Sequence, residues 1–416
     1  MADALAIWMY GTKVAIITNE RRRLRLAYTQ EGRLAFPGGT PLLSLKLPVT
    51  DERYTNNLVR SFLDGLLPEG EARRVIAEDM SIQANDTFEL IAAIGRDCAG
   101  AIILQNESAP PPPRSSVQSA EPITNDELAK LVANLRGAPL GIDHRVRISL
   151  AGIQEKLLLT RLPDGSWGRP VDGTPSTHIL KPEIRGYPHT VENEAFCMRV
   201  AAYLGLRVAH IETAEVDGRR LLVVSRYDRE IEPSGEVRRI HQEDMCQATG
   251  VAPKDKYQAS GGPSLRRIAA ILADFDPDSL TRLLQAVTIH VLLGNGDAHA
   301  KNYSLLHQAN GLITLAPLYD VMSTLIYGDD RLAMLVDGVH RSNRVTGERL
   351  LNEAVSWGLS HSASVEVIQD LVDRIRGASE QAALETPGVP NALIEVVESQ
   401  AKLVSFGLMS SWRASI

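Results

Sequence analysis

The chain has 416 residues, of which 44% are hydrophobic and 23% charged, so it can support two or three domains with complete hydrophobic cores. Its formal net charge of -7 at pH 7 argues against a dedicated nucleic-acid-binding protein, although one domain could still carry a basic face. Three widely spaced cysteines predict reduced core residues, and the lack of a long apolar segment predicts a cytoplasmic protein with no membrane partner.

Residues 1–105 are predicted to form a small α+β domain. Apolar residues on both sides of Gly11 predict a hairpin, and the alternation of apolar residues with arginines up to Tyr28 predicts a further strand. An apolar stripe that ends before Pro68 predicts a helix, Asp86 can cap another, and residues 98–104 are predicted to form a closing strand. No acid or base converges here, so we expect this domain to serve protein contact.

Residues 106–122 are predicted to be a linker. Serines, alanines and four consecutive prolines at 110–113 replace the apolar pattern, which is typical of an extended polyproline segment. Regular structure is expected to resume at Thr124, which forms a capping box with Glu127.

A turn of small residues follows and leads into an apolar strand that starts at Leu157. Such a turn can present backbone N–H groups to the phosphates of a nucleotide, and Lys156 would add a positive charge. The candidate phosphate-binding residues are Ala151, Gly152, Ile153 and Gln154. A plain β-turn is the alternative, because the segment has a single glycine.

The next apolar strand carries Lys181, whose burial is costly unless its ammonium meets an anion such as a carboxylate or an ATP phosphate. Thr190 is predicted to cap the following helix, where either Glu192 or Glu194 could pair with this lysine. A solvated helix face explains both glutamates equally well.

Two strands joined by Asp217-Gly218 are expected next, as a hairpin. The chain then leaves the sheet near Ser225 and Tyr227. A nucleotide-binding hinge in this position would offer backbone groups to adenine.

The central stretch is Gly294-Asn-Gly-Asp-Ala-His-Ala-Lys-Asn302, which follows a helix with a leucine and valine stripe. Asp297 can orient a hydroxyl and accept its proton, and a predicted hairpin turning at Asn310-Gly311 would return Asp320 to Asn302. An amide and a carboxylate converging there would hold Mg²⁺ on ATP phosphates. The alternative is a polar turn after a core helix.

The order of these elements is typical of phosphoryl-transfer enzymes. We therefore predict an α+β, protein-kinase-like two-lobed fold with a small N-terminal α+β domain. Residues 123–229 would form the N-lobe, and residues 230–416 a mostly helical C-lobe with the catalytic loop. ATP and Mg²⁺ are the expected cofactors.

The chain resembles the HipA toxins of bacterial toxin-antitoxin systems, which are serine/threonine kinases. The resemblance covers nearly the whole chain and is carried by Ile148–Lys156, Thr177–Lys181, Glu192-Asn-Glu194, Arg226–Arg229, Gln242–Gly250, Gly294–Asn302 and Tyr319-Asp320.

The resemblance implies that Lys181 binds ATP, Asp297 is the catalytic base, and Asn302 and Asp320 hold Mg²⁺. His299, within the catalytic motif, is a further candidate for nucleotide binding, and Ser149 matches the serine that the family autophosphorylates to inactivate itself. Better-known members carry an acidic residue where Ser225 stands, although that position can use its backbone.

The family also implies partners: a small HipB-like helix-turn-helix antitoxin, operator DNA contacted mainly through that antitoxin, and an aminoacyl-tRNA synthetase as substrate, with glutamyl-tRNA synthetase the first expectation. Phosphorylation of the synthetase would block translation and arrest growth, which leads to persistence. A small-molecule phosphotransferase and a nucleotide-binding transcriptional co-repressor are the alternative functions.

Overall fold

The structure is a computed structural model that describes residues 4–142, 146–152, 154–276, 278–308 and 311–413. Its contacts divide the chain into two compact units. Unit 1 comprises Met1–Pro182 and Ala214–Pro253, and unit 2 comprises Glu183–Thr213 and Lys254–Ile416. Both units contain helices and strands, as the predicted α+β class requires.

The strands are β1 (Ala4–Met9), β2 (Thr12–Glu20), β3 (Arg23–Tyr28), β4 (Ile103–Asn106), β5 (Glu121–Pro122), β6 (Leu157–Arg161), β7 (Trp167–Arg169), β8 (His178–Pro182), β9 (Ile211–Val216), β10 (Arg219–Ser225), β11 (Arg229–Ile231), β12 (Val237–Arg239), β13 (His241–Asp244), β14 (Ser304–His307), β15 (Ile313–Leu315), β16 (Arg331–Val336) and β17 (Val339–Arg341). The α-helices are α1 (Gln30–Ala35), α2 (Asn56–Leu66), α3 (Gly70–Asp79), α4 (Thr87–Ile94), α5 (Asn125–Ala133), α6 (Thr190–Tyr203), α7 (Met245–Thr249), α8 (Leu265–Phe275), α9 (Asp278–Leu292), α10 (Gly347–Ser356), α11 (His361–Leu384) and α12 (Asn391–Arg413).

Unit 1 begins with an antiparallel sheet in the order β3-β2-β1-β4. The predicted hairpin is confirmed, and its turn residues Tyr10 and Gly11 both have positive φ, as tight hairpin turns require. The predicted strand over 98–104 is wrong in its first half, because β4 begins only at Ile103. Polar groups of the preceding backbone bond instead to buried side chains elsewhere in unit 1.

Two predicted helices of this region are confirmed. Helix α2 ends at Leu66, just before the proline that was expected to stop it. Asp86 caps α4, since its side chain accepts a hydrogen bond from the backbone N–H of Glu89. Both helices bury their apolar faces in the core that the N-terminal sheet contributes to.

A second sheet has six strands in the order β5-β7-β6-β8-β10-β9, and the pairs from β5 to β10 are antiparallel. Leu157 and Leu159 of β6 pack with Leu180 of β8 and with apolar residues of α5. The predicted capping box of α5, formed by Thr124 and Glu127, is confirmed. Part of segment 106–122 is structured, because β5 belongs to this sheet.

The Gln242–Gly250 motif joins the N-terminal region to the rest of unit 1. The carboxylate of Glu243 accepts hydrogen bonds from Ser44 Oγ (2.6 Å) and from the backbone N–H of Leu45 (2.9 Å). Nε2 of Gln247 donates to the carbonyl of Phe62 (3.2 Å). This motif therefore has a structural use, since its side chains bond to backbone groups of residues that precede β4.

Candidate active site

The loop that follows α9 in unit 2 is held by close backbone packing. Gly294 has φ +63°, and a Cβ at this position would lie 2.9 Å from Cβ of Leu325. A Cβ on Gly296 would lie only 2.2 Å from the carbonyl oxygen of Arg331. The two glycines are therefore needed for the loop to pass between these segments, and the predicted break after the helix is confirmed.

Asn295 connects this loop to its helix. Its Nδ2 lies 3.0 Å from Nδ1 of His290 in α9, and its Oδ1 accepts a hydrogen bond from the backbone N–H of Asp297 (3.0 Å). Burial lowers the pKa of His290 to about 4, so this ring is neutral at pH 7 and its Nδ1 can accept. The backbone of Asp297 is thus fixed by side chains on the N-terminal side of the loop.

The side chain of Asp297 is exposed to solvent, but polar and charged side chains lie close to its carboxylate. Its Oδ1 accepts a hydrogen bond from the hydroxyl of Tyr257 (2.8 Å). Desolvation and the negative charge of Asp320 raise its pKa, while the Tyr257 hydrogen bond and the charge of Lys256 oppose that rise. A carboxylate with a raised pKa and a fixed orientation is suited to accept a proton from a hydroxyl.

Asn302 is fixed by the same loop. Its backbone N–H donates to the carbonyl of His299 (2.8 Å), and its side-chain Nδ2 donates to the carbonyl of Asp297 (3.0 Å). Because the amide nitrogen is used in this way, Oδ1 is the atom that can serve as a cation ligand.

The predicted hairpin after the loop is confirmed by the pairing of β14 with β15. Gly311 has φ +84°, and its N–H donates to the carbonyl of Gln308. Asn310, the other predicted turn residue, lies outside the described residues.

Asp320 follows the hairpin with φ +60°, a conformation that non-glycine residues rarely adopt. Leu318 is held by backbone hydrogen bonds to Arg207 and Ala209, both 2.8 Å long. The hydroxyl of Tyr319 donates to the carbonyl of Lys301 (2.6 Å). These contacts place Asp320 near the loop, where its charge affects the pKa values of Asp297 and His299.

The segment after Asp320 is anchored by Asn193 of α6. Its Nδ2 donates to the carbonyl of Ser323, and its Oδ1 accepts from the N–H of Ser323, both at 2.9 Å. Asn193, the middle residue of the Glu-Asn-Glu motif, thus holds the backbone of the segment that follows Asp320.

The outer residues of that motif, Glu192 and Glu194, are 4% and 3% exposed, so the interpretation as a solvated helix face is wrong. Thr190 does not cap the helix, because the cap position is occupied by His189 with φ +63°. The hydroxyl of Thr190 instead accepts from the N–H of Ile184 (2.8 Å) and fixes the preceding loop. The pairing of one glutamate with Lys181 stays a prediction.

Three further side chains of unit 2 surround Asp297. The ring of His299 meets Tyr257 edge-on at 5.4 Å, and Nζ of Lys256 lies 5.7 Å from the Tyr257 ring centre. Burial and the charge of Lys256 lower the pKa of His299 to about 3, so its ring is neutral. Sequence reasoning missed Lys256 and Tyr257. The Gly261-Gly262 pair was the sequence signal for a tight turn near them. A Cβ on Gly262 would lie 2.8 Å from the carbonyl oxygen of Tyr257, so the turn requires glycine there.

The candidate phosphate loop lies in unit 1. Gly152 has φ +117°, and Nζ of Lys156 donates to the carbonyl of Ala151 (2.8 Å), crossing the position that a Cβ on Gly152 would occupy. Gln154 is half-buried, while Ile153 lies outside the described residues. The binding of nucleotide phosphates by this segment stays a prediction.

Ser149, at the start of this loop, is 0% exposed. Its Oγ donates to the carbonyl of Leu66 (2.7 Å), and its backbone N–H donates to the carbonyl of Asp97 (3.0 Å). Lys181 lies on β8 as predicted, is 7% exposed, and pairs in register with Leu222 of β10.

Ser225 and Tyr227, the candidate hinge residues, use their side chains within unit 1. Oγ of Ser225 lies 3.2 Å from Nε2 of His178, and the hydroxyl of Tyr227 donates to Oε1 of Gln242. Between them, the backbone N–H of Arg226 donates to the carbonyl of Thr177 (2.9 Å). Adenine contacts through this backbone stay a prediction.

The donor set of unit 2 suits Mg²⁺. Asn302 offers an amide oxygen and Asp320 a carboxylate, and hard divalent cations prefer oxygen ligands of both kinds. No group of three or more His, Cys, Asp or Glu side chains poised for a metal occurs among the described residues. Two oxygen ligands of this kind would suit a cation that also binds phosphate oxygens.

Comparison with known proteins finds two family matches: the HipA N-terminal domain at residues 5–105 and the HipA-like C-terminal domain at residues 148–379. The chain is 40% identical over 337 residues, 78% of each chain, to the putative kinase Y4mE of Sinorhizobium fredii. It is 32% identical to the serine/threonine-protein kinase toxin HipA of Shewanella oneidensis, over 83% of this chain and 82% of the relative.

Among solved structures, the complex of HipA with HipB and operator DNA from Shewanella oneidensis contains a chain that matches with a TM-score of 0.82. The sequence identity is 27%, and the match covers 97% of this chain and 96% of that chain. This similarity confirms the predicted fold class. In the part of the chain that the structure describes, no helix is both long and apolar enough to cross a membrane.

Proposed function

The chain belongs to the HipA family of serine/threonine-protein kinases, and from that premise we propose that Asp297 is its catalytic base. The observation that carries the proposal is the arrangement in unit 2. Asp297 is oriented by Tyr257, its backbone bonds to the Asn302 amide, and the charge of Asp320 reaches it. A carboxylate base and two oxygen ligands for Mg²⁺, here Asp297, Asn302 and Asp320, are the groups that protein kinases use to transfer phosphate to a hydroxyl.

In this proposal, the Asp297 carboxylate holds the hydroxyl of a substrate serine or threonine and takes its proton as the oxygen attacks the γ-phosphorus of ATP. The attacking oxygen forms the new P–O bond, and the bond to ADP breaks. Oδ1 of Asn302 and the Asp320 carboxylate would hold Mg²⁺, which neutralises charge on the phosphates when bound. The ring of His299, which is neutral and meets Tyr257 edge-on, would be a further contact for the nucleotide.

Unit 1 supplies the proposed ATP contacts. Lys181 on β8 would meet the phosphates, the N–H groups of the loop at Ala151 to Gln154 would cradle them, and the backbone near Ser225 and Tyr227 would meet adenine. The positive φ of Gly152 is consistent with this role, because glycine adopts this backbone conformation without strain.

We further propose that the kinase is the toxin of a toxin-antitoxin pair. Its partner would be a HipB-like helix-turn-helix antitoxin, through which the complex would bind operator DNA. Its substrate would be an aminoacyl-tRNA synthetase, with glutamyl-tRNA synthetase the first to test. The full-length similarity to a HipA chain solved together with HipB and operator DNA supports this reading.

Incubation of the protein with labelled ATP, Mg²⁺ and a lysate of its host, followed by identification of the labelled species, would test this function. A labelled synthetase supports the toxin proposal. A labelled metabolite would support a small-molecule phosphotransferase instead. Operator binding with an antitoxin, without any transfer beyond the protein itself, would support a nucleotide-binding co-repressor.

Asp320→Ala is expected to weaken binding of Mg²⁺-ATP, because one of two proposed oxygen ligands is lost. The loss should disappear when Mg²⁺ is omitted, since ATP alone does not use that ligand. Calorimetric titration of ATP with and without Mg²⁺ measures both quantities. Asp370→Ala, which removes an exposed carboxylate paired with Arg374 on α11, is the control and should leave both affinities unchanged. Equal Mg²⁺-ATP affinity in Asp320→Ala and wild type would place the metal elsewhere.

A further inference from the structure

Asp97 lies in the N-terminal region of unit 1 and is 0% exposed. Its Oδ2 accepts hydrogen bonds from the backbone N–H of Ser176 (2.9 Å), from Ser176 Oγ (2.7 Å) and from Nη1 of Arg226 (3.3 Å). Its Oδ1 accepts from Arg229 (3.0 Å) and from Arg239. Both carboxylate oxygens therefore accept hydrogen bonds from residues between positions 176 and 239 of the sequence.

A second buried carboxylate, Asp228, completes the cluster. It accepts from Nε and Nη2 of Arg226 (3.0 and 2.8 Å), and it lies 3.0 Å from Nη1 of Arg229. It also accepts from the backbone N–H of Gly100 (2.7 Å), three residues after Asp97. The guanidiniums of Arg226 and Arg229 donate in turn to the carbonyl of Cys98 (2.9 and 2.8 Å).

Asp97 is also joined to the phosphate loop through its backbone. Its carbonyl accepts from the N–H of Ser149 (3.0 Å), and the two segments form a parallel bridge between Asp97 and Ile148. One residue is thus bonded through its main chain to the start of the phosphate loop, and through its side chain to Arg226, between the candidate hinge residues Ser225 and Tyr227.

The charges of the cluster make Asp97 hard to replace. Burial alone would raise the pKa of the Asp97 carboxyl, but the charges of Arg239, Arg229 and Arg226 outweigh it and hold that pKa well below its usual range. Among the described residues, three buried guanidiniums face two carboxylates, so loss of one negative charge leaves the arginines strongly unbalanced. They would then be expected to move apart or admit water, and the hinge would move with Arg226.

We propose that Asp97 is a positioning residue for ATP, which sets the spacing between the phosphate loop and the hinge within unit 1. The N-terminal region then contributes to nucleotide binding without touching the nucleotide. This inference rests on the proposed ATP contacts, because it assigns a purpose to the link between the two segments that would carry them.

Asp97→Asn tests the proposal, since it removes the charge while keeping the shape of the side chain. We expect the KM for ATP to rise by roughly tenfold or more, as small misplacements of binding groups have large effects, while kcat at saturating ATP changes less. The affinity for a non-hydrolysable ATP analogue should fall in proportion. A role in stability alone would lower the midpoint of thermal unfolding and leave the KM for ATP unchanged.

The matched control is Asp64→Asn in the same unit. Asp64 accepts from Arg73 (3.0 Å) and from Thr87 (2.8 Å), and within the described part of the chain neither side chain is bonded to the phosphate loop or the hinge. The KM of the Asp64→Asn protein for ATP should equal that of wild type.

If Asp97→Asn does not fold, Ser176→Ala decides the matter. It removes only the hydroxyl that donates to Asp97 and accepts from Arg226 (2.8 Å), and a severalfold rise in the KM for ATP is expected. A folded Asp97→Asn or, failing that, Ser176→Ala protein with the wild-type KM for ATP and analogue affinity would overturn the inference. Failure of the wild-type protein to bind the analogue would instead refute the proposed ATP site.

Discussion

Asp297→Asn is expected to lower phosphate transfer by about two or more orders of magnitude while the protein remains folded. The amide cannot accept a proton from the substrate hydroxyl, and the negative charge beside the reacting oxygen is lost. The fold should persist because the side chain is exposed and isosteric, and the amide oxygen can still accept from the Tyr257 hydroxyl.

Transfer of labelled phosphate to the identified substrate measures this effect, with circular dichroism and thermal unfolding as checks of the fold. Asp329→Asn is the matched control. Asp329 is an acidic residue whose charge also reaches Asp297, yet it is paired with Arg331 at 2.9 Å and has no proposed part in the chemistry. The control should keep its rate within severalfold of wild type, and wild-type transfer by folded Asp297→Asn would remove Asp297 from its role.

The parts of this site that follow from nearby residues could be predicted from the sequence. The stripe of α9, the break at Gly294 and the hairpin after Asn302 are each specified within a few residues, because periodicity and turn chemistry are local. The prediction of a strand over 98–104 failed for the opposite reason. Backbone groups of that segment bond to Arg226 and Asp228, more than 100 residues away, and no local pattern reports such partners.

Local patterns also could not reveal the residues that orient the proposed catalytic groups. Tyr257 reaches Asp297 across 40 positions, and Asn193 clamps Ser323 across 130. A single tyrosine or asparagine in a sequence carries no periodic signal, so only the folded structure shows which backbone group or carboxylate it meets. Motif spacing and the family resemblance identified the candidate site residues, but neither identified their partners.

The buried cluster around Asp97 changes how the N-terminal region should be tested. Its role in binding an antitoxin stays a proposal. Removal of residues 1–105 would also remove Asp97, which carries one of the carboxylates that balance the buried arginines. If such a truncation abolished antitoxin binding, the loss could come from removal of the binding surface or from unfolding of unit 1. Substitution of exposed side chains such as Leu34, which is 80% exposed, is the cleaner experiment for antitoxin binding.

Phosphorylation of Ser149 is expected to abolish ATP binding. The Ser149 hydroxyl is fully buried and donates to the carbonyl of Leu66, so the loop must leave this position before the hydroxyl can receive a phosphate. A phosphate would then add about -1.5 to -2 charges. The phosphorylated side chain could not return to its buried position, because it would face the carbonyl oxygen of Leu66. The loop should stay outside, and its N–H groups would no longer be placed for the phosphates of ATP.

Mass spectrometry after incubation with Mg²⁺-ATP should find phosphate on Ser149 in the active protein and none in Asp297→Asn. The modified protein should neither bind ATP in calorimetry nor transfer further phosphate. Ser149→Ala is the control: it loses one buried hydrogen bond, at a cost of about 1–3 kcal/mol of stability, but adds no charge, so it should bind ATP and stay active for longer than wild type. Fully Ser149-phosphorylated protein that bound ATP and labelled its substrate at the original rate would contradict self-inactivation, because the added charge would then have left the loop in place.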